Sequence, residues 1–293
     1  MTKVNEKKMM INCVPGVPAT DGAGVKLTRM IGTVHLGMVD PFLMLDRIDS
    51  DDPASYIAGF PDHPHRGFET VTIVHEGLIR HKDSVGNEGV IGPGDVQWMT
   101  AGSGIIHSEI PEMIEGRLSG FQLWVNLPSY LKMCGPSYQD ISATEVPVLM
   151  LGGVTVRVIA GTYDRRRGAA RPKIAARILD VVLEENVSWS IESPLEMNLF
   201  MCVYSGSINA EVSPGQNQEV TSPSVLLFDQ GGKIEIDAGE SGARLLYCEG
   251  EPLNEPVARR GPFVMNTEAE LEQAAKDYSR GNLTAKTLST GAI

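Results

Sequence analysis

The sequence has no uninterrupted apolar run approaching the roughly 18 residues of a membrane-spanning helix, so a helical membrane protein is not expected. It has only four cysteines, Cys13, Cys134, Cys202 and Cys248, widely scattered and without a C-x-x-C pair. That spacing argues against a thiolate zinc site or a disulfide framework and reads as free thiols in a reducing compartment. Positive charge is scarce too: 25 Lys and Arg against 37 Asp and Glu leave a net charge of −12. Direct binding to nucleic acid, which rests on neutralising phosphates with basic side chains, is therefore not expected, although a protein partner that itself binds DNA stays open. Residues 1–13 carry Lys7 and Lys8 with no apolar core after them, so no secretory signal is expected. The cytoplasm is the default location, or the nucleus if the chain is eukaryotic.

Glycine and proline, by contrast, are plentiful: 31 and 18 in 293 residues, a level that favours short strands and turns over long helices. A shift of 129 residues superimposes the chain on itself without a gap, Val74, Gly77 and Ile79 falling on Val203, Gly206 and Ile208. Further along, Val96 falls on Val225 and Gly102 on Gly231, with a polar, turn-rich middle in each copy. Residues 70–74 are β-branched throughout, and residues 121–125 are aromatic and aliphatic apart from Gln122. Residues 153–160 and 178–183 read the same way. Repeated short strands with Gly/Pro turns predict an all-β protein of two antiparallel barrels or sandwiches in tandem, divided near residue 145 into 1–145 and 146–293. Residues 163–171, with Arg165, Arg166 and Arg167, read as a solvated loop between them. One short helix is expected near the end: Thr267 and Glu270 form a capping box, Leu271, Ala274, Ala275 and Tyr278 share a face, and Gly281 can stop it. Its expected role is to cover a sheet.

The residues that point to chemistry are two pairs. His63-Pro64-His65 sets two imidazoles two residues apart, which in extended backbone face the same way about 7 Å apart at Cα. Pro64 cannot donate to a ladder, which suits a strand entrance or an edge. His107-Ser108-Glu109 repeats the spacing with an imidazole and a carboxylate, and Gly102 and Gly104 permit a tight turn just before it. Two such pairs converging on one barrel mouth would hold a metal ion. Glu69 shares the strand parity of His63 and His65 and is the alternative carboxylate ligand. No ligand role is expected for His35, His75 or His81. The repeat supplies an internal control: at the same offset His63 becomes Glu192, His65 Pro194, His107 Ile236 and Glu109 Ala238, so the expected second barrel is metal-free.

The segments FPDHPHRGFETVTIVHEG and GPGDVQWMTAGSGIIHSE, with DPFLMLDRID, FQLWVNLP, VRVIAG and GEPLNEPVARRGPFVMNT, resemble the pirins, a bicupin family, from about Asp40 to Asn266. The resemblance implies two tandem cupin-type barrels (double-stranded β-helices). It implies iron held by His63, His65, His107 and Glu109 in the first barrel and none in the second. In many other cupins the glutamate lies in the first motif, which keeps Glu69 as second choice. The same donor set also suits manganese, nickel, copper or zinc.

Pirins resemble quercetinases, so the resemblance further implies a dioxygenase that opens a flavonol ring with O₂ and releases carbon monoxide, Glu109 acting as ligand and base. The alternative it implies is a redox-responsive transcription co-regulator that docks on a protein partner, to which an acidic surface is suited. A metal-bound scaffold without turnover is the third reading. Oligomeric state is left undetermined by the sequence.

Overall fold

A computed structural model describes residues 7–112, 116–229 and 232–284. Two antiparallel barrels follow one another, and among the described residues there is one α-helix, Glu268–Ser279. In the first barrel a seven-stranded sheet runs in the order Ser137–Ile141, Val96–Thr100, Phe68–Glu76, Leu118–Asn126, Phe42–Ser50, Val25–Ile31, Val17–Asp21. A four-stranded sheet faces it, in the order Phe60–His65, Ile105–Pro111, Ile79–Asp83, Glu88–Ile91.

Strand alternation sorts the large sheet into two chemically different faces. Along Phe68–Glu76, Val71 and Ile73 point out of the barrel and join Trp98, Leu123 and Val125 in a core shared with Ile178, Phe200, Cys202 and Leu246 of the second barrel. Thr72, on the opposite parity, points inward to Gln122 and Glu109. The sheet thus packs dry against its neighbour and turns polar groups into its own interior.

The repeat is visible in the ladders. Ile73 pairs with Val96, and Cys202 pairs with Val225, the same pairing 129 residues on. Gly77 and Gly206 both adopt positive φ, at 94° and 69°, where the strand must kink and a Cβ would be strained. Gly231 lies outside the described residues.

At the histidines the 129-residue offset does not hold. His63 faces His107 across its ladder, whereas Ile236 faces Trp189, and His65 faces Ile105 as Ile191 faces Ile234. The true counterparts of His63 and His65 are therefore Trp189 and Ile191, not Glu192 and Pro194. The link into the next strand is three residues longer in the second copy (193–197 against 66–67), which slips the register. Trp189, Ile191, Ile236 and Ala238 belong to the apolar core of the second barrel. Hydrocarbon fills the position that imidazoles occupy in the first.

Both ends of the chain cross the expected division at residue 145. Met10–Pro15 pairs with Ser224–Phe228 at the edge of the second barrel's sheet. The hairpin Ala258–Arg260 with Phe263–Met265 and the helix lie on the first barrel: Arg66 bridges to Phe263, and Phe263, Met265, Leu271 and Ala274 pack with Ile106. The helix has the expected capping box, and Gly281 follows it at φ 71°. The arginine-rich segment is a tight hairpin, Thr162–Tyr163 paired with Arg166–Arg167 around Asp164 and Arg165 at positive φ. All four cysteines are free, with Cys202 and Cys248 buried in the core.

Candidate metal centre

The His63-Pro64-His65 stretch ends the edge strand Phe60–His65. The chain then turns sharply at Gly67 (φ 91°), where an added Cβ would stand 2.0 Å from the Val264 carbonyl oxygen. The buried Lys132 ammonium fixes that turn by donating to the carbonyls of Gly67 (2.9 Å) and Val264 (3.1 Å) and to Asn126 Oδ1 (2.7 Å). Burial lowers its pKa from the usual lysine value to about 8. The C-terminal hairpin is thereby tied to the loop that carries His65, and Arg66 adds an ion pair to Asp277 of the helix at 2.7 Å.

His63, His65 and His107 converge. One ring nitrogen from each lies within 4.8 Å of the others, a group able to hold a metal ion. His63 Nε2 and His65 Nε2 are 3.0 Å apart. The outer nitrogens are engaged elsewhere: His63 Nδ1–H donates to the Pro61 carbonyl at 2.8 Å and His65 Nδ1–H to that of Pro262 at 3.4 Å. With the protons outside, two lone pairs face one another, an arrangement that needs a cation between them and matches the way protein backbone orients ligating histidines. His107 is buried with neither ring nitrogen hydrogen-bonded. An imidazole orphaned on both sides is costly unless something absent from the polypeptide occupies the site. Burial first, and the neighbouring histidines second, hold His65 and His107 well below the usual histidine pKa, so both are neutral and ready to ligate. The donor set, three imidazoles with a carboxylate nearby, suits a transition metal.

Glu109 stands beside this trio. It follows His107 on the inward face of Ile105–Pro111 and lines the same cleft, but its carboxylate is not within the same radius of all three nitrogens. Gln122 Nε2 donates to Glu109 Oε2 at 2.8 Å and to Oε1 at 3.1 Å, while Thr72 Oγ1 lies 3.1 Å from Oε1. Glu69 is on the other face of its sheet. Its carboxylate accepts from Thr100 Oγ1 at 2.7 Å and from the Lys173 amide at 3.5 Å, and burial raises its pKa. Glu69 would share the parity of His65 only along one unbroken strand, and the turn at Arg66-Gly67 resets it. The remaining histidines lie elsewhere: His75 reaches Asp180 of the second barrel, His81 stacks on Tyr138, and His35 is exposed.

His63, His65 and Glu109 open onto a cleft of about 610 Å³, within the usual range for small-molecule sites. Met44, Phe60 and Trp124 give it an apolar wall, and the Arg259 guanidinium lies 4.7 Å over the Trp124 ring. Arg29 is already held by Asp46 (2.8 Å) and Asp21 (2.7 Å), and among the described residues no carboxylate pairs with Arg259. Sequence reasoning assigned no role to Thr72, Gln122, Trp124 or Arg259. A signal existed for one of them, since Gln122 is the lone polar residue among the apolar residues 121–125.

Known proteins are similar to this chain over nearly its whole length. The Pirin family profile matches residues 24–125 and that of the Pirin C-terminal cupin domain residues 178–284. A pirin-like protein of Caulobacter vibrioides is 46% identical over 277 residues, covering 93% of this chain and 98% of its own length. A candidate quercetin 2,3-dioxygenase of Pseudomonas aeruginosa is 46% identical over 275 residues, covering 92% and 95%. The crystal structure of a quercetin 2,3-dioxygenase from Acinetobacter baumannii superimposes with a TM-score of 0.88 at 34% identity, over 95% of this chain and 99% of that one. Two cupin-type barrels in the same order, matched almost end to end by such relatives, make this chain a member of the pirin family.

Proposed function

We propose that the chain is a metal-dependent dioxygenase of the quercetinase type, opening the ring of a flavonol with O₂ and releasing carbon monoxide. The reading assigns iron to His63, His65 and His107 with Glu109 as the carboxylate ligand, in the first barrel alone. The observation that carries it is the pair of imidazole nitrogens facing one another at 3.0 Å with their outer nitrogens held by backbone, opening on a cleft walled by aromatic rings. A separation of about 3.0 Å is that of two neighbouring ligands each about 2.1 Å from one ion at right angles. The relatives named for quercetin dioxygenation support the substrate class.

A transition metal bound there supplies a Lewis-acidic, redox-active centre for a flavonol hydroxyl, its neighbouring carbonyl and O₂. The side chains do the rest. Trp124 and Phe60 flank a planar ring system and exclude water from it. Glu109 takes the flavonol hydroxyl proton, and Gln122, itself held by the Thr72 hydroxyl, keeps its carboxylate in position for that transfer. Arg259 faces the negative charge that deprotonation leaves on the flavonol.

The test is metal-loaded protein incubated with quercetin in air, followed by loss of flavonol absorbance and by carbon monoxide in the headspace. Metal-dependent consumption with stoichiometric carbon monoxide is expected. Fully loaded protein that leaves the flavonol intact would overturn the assignment.

A further inference from the structure

Behind the cleft, on the far side of Glu109, lies a second and much smaller cavity of about 30 Å³. Val25, Tyr56, Ile73, Ile79 and Leu118 line it, and four residues, Ile48, Phe60, Glu109 and Gln122, border both it and the cleft. It is large enough for one small molecule and far too small for an aromatic ring. A buried water of that size needs two to four polar partners. The polar side chains in the partition are already committed to one another: Thr72 Oγ1 lies 2.7 Å from Gln122 Oε1, and Gln122 Nε2 donates to Glu109 Oε2 at 2.8 Å. The Tyr56 hydroxyl donates to the Gly116 carbonyl at 2.7 Å. Ser119 is the one other polar side chain on the lining, and the rest of the wall is largely apolar. An apolar cavity of this kind stays dry and takes apolar atoms or gases.

We propose that this cavity is a docking site for dioxygen, one side chain's thickness behind the metal centre and separated from it by Glu109, Gln122 and Phe60. The proposal rests on the dioxygenase reading above for its occupant. Dioxygen is apolar, needs no hydrogen bonds, and reaches the centre from the side opposite the flavonol. The ring can then fill the larger cleft without blocking the second reactant. Thr72 and Gln122 serve as the wall between the two, so the donors that hold Glu109 also keep the flavonol out of the gas site.

Xenon tests the cavity independently of turnover. A crystal of the protein pressurised with xenon should show one atom bounded by Val25, Tyr56, Ile79 and Leu118, and Val25→Ile, which adds a methyl group from the wall, should abolish it. Ordered water in that position, or xenon elsewhere only, would overturn the proposal. In metal-loaded protein Val25→Ile should raise the KM for dioxygen severalfold and leave the KM for quercetin unchanged, since Val25 does not line the cleft. An unchanged dioxygen KM with the cavity demonstrably filled would also overturn it. If the protein turns over no flavonol, the dioxygenase reading fails and xenon alone decides the cavity; if turnover persists without xenon binding, only the gas site fails.

Discussion

Asp180→Asn is a sensitive probe of how the second barrel braces the first. Asp180 is buried in the second barrel, where Oδ1 accepts the Tyr204 hydroxyl at 2.6 Å and Oδ2 accepts Arg157 Nη1 and His75 Nε2, each at 3.1 Å. His75 belongs to the first barrel, and Arg157 also donates to the Gly94 carbonyl there, so one carboxylate joins the two halves. Burial alone would raise its pKa, but His75, Tyr204 and Arg157 outweigh it and hold the carboxyl at about 2 against the ordinary 3.8. A displacement of nearly two pKa units corresponds to roughly 2 kcal/mol of stabilisation by the charged form. Leaving Arg157 without its anion adds to the loss, so Asp180→Asn should cost about 2–4 kcal/mol at pH 7. The folded carboxyl binds its proton more weakly than the unfolded one. The stabilisation is therefore complete well above pH 3.8 and drains away as the pH falls toward 2. Urea unfolding of metal-free wild type and variant, run from pH 7 down to pH 3, reads this directly. The gap between the two curves should be widest at neutral pH and should narrow below about pH 4. Equal stability at pH 7, or a gap that does not change with pH, would refute the reasoning.

Other substitutions separate roles at the centre. Glu109→Gln should abolish flavonol turnover and weaken metal retention, whereas Glu69→Gln should leave both intact, as measured by metal content and flavonol consumption; the reverse result would move the carboxylate ligand to the first motif. Gln122→Leu removes the donor at 2.8 Å from Glu109 and should cost about 10–100-fold in metal affinity or activity, read by competition with a chelator and by initial rates. Lys132→Met leaves the carbonyls of Gly67 and Val264 without their shared donor and should cost about 2–4 kcal/mol in urea unfolding, with faster metal loss, because the C-terminal hairpin is released from the His65 loop.

The sequence was most informative where a chemical demand fell on a short local pattern. Residues 70–74 and 121–125 lie inside real strands because β-branched and aromatic residues suit a sheet with two covered faces. The capping box at Thr267 needs only residues three apart, and it formed. The three histidines were legible as two spaced pairs, and the fold brings them together by pairing His63 against His107. What failed were inferences that carried a register through a turn. Glu69 was given the parity of His65 across Gly67, and Glu192 was set against His63 across a link that is three residues longer in the second copy. Sequence spacing does not encode the direction a chain takes after a positive-φ glycine. The contacts made by the chain ends were illegible for a similar reason. Met10–Pro15 joins the second barrel and Pro262 reaches His65 across a separation of 197 residues, and no local pattern announces a pairing that distant. Gln122 and Arg259 meet their partners, Glu109 and the Trp124 ring, only in the closed barrel.

The central claim is that one metal ion is held by the three histidines of the first barrel, the apolar core of the second leaving no counterpart. Elemental analysis of the protein loaded with ferrous iron and freed of excess, beside a His63→Ala/His107→Ala variant whose folding is verified by circular dichroism, tests it most directly. The account predicts about one ion per chain in the wild type and none in the folded variant. Two ions per wild-type chain, or one retained by the folded variant, would contradict it.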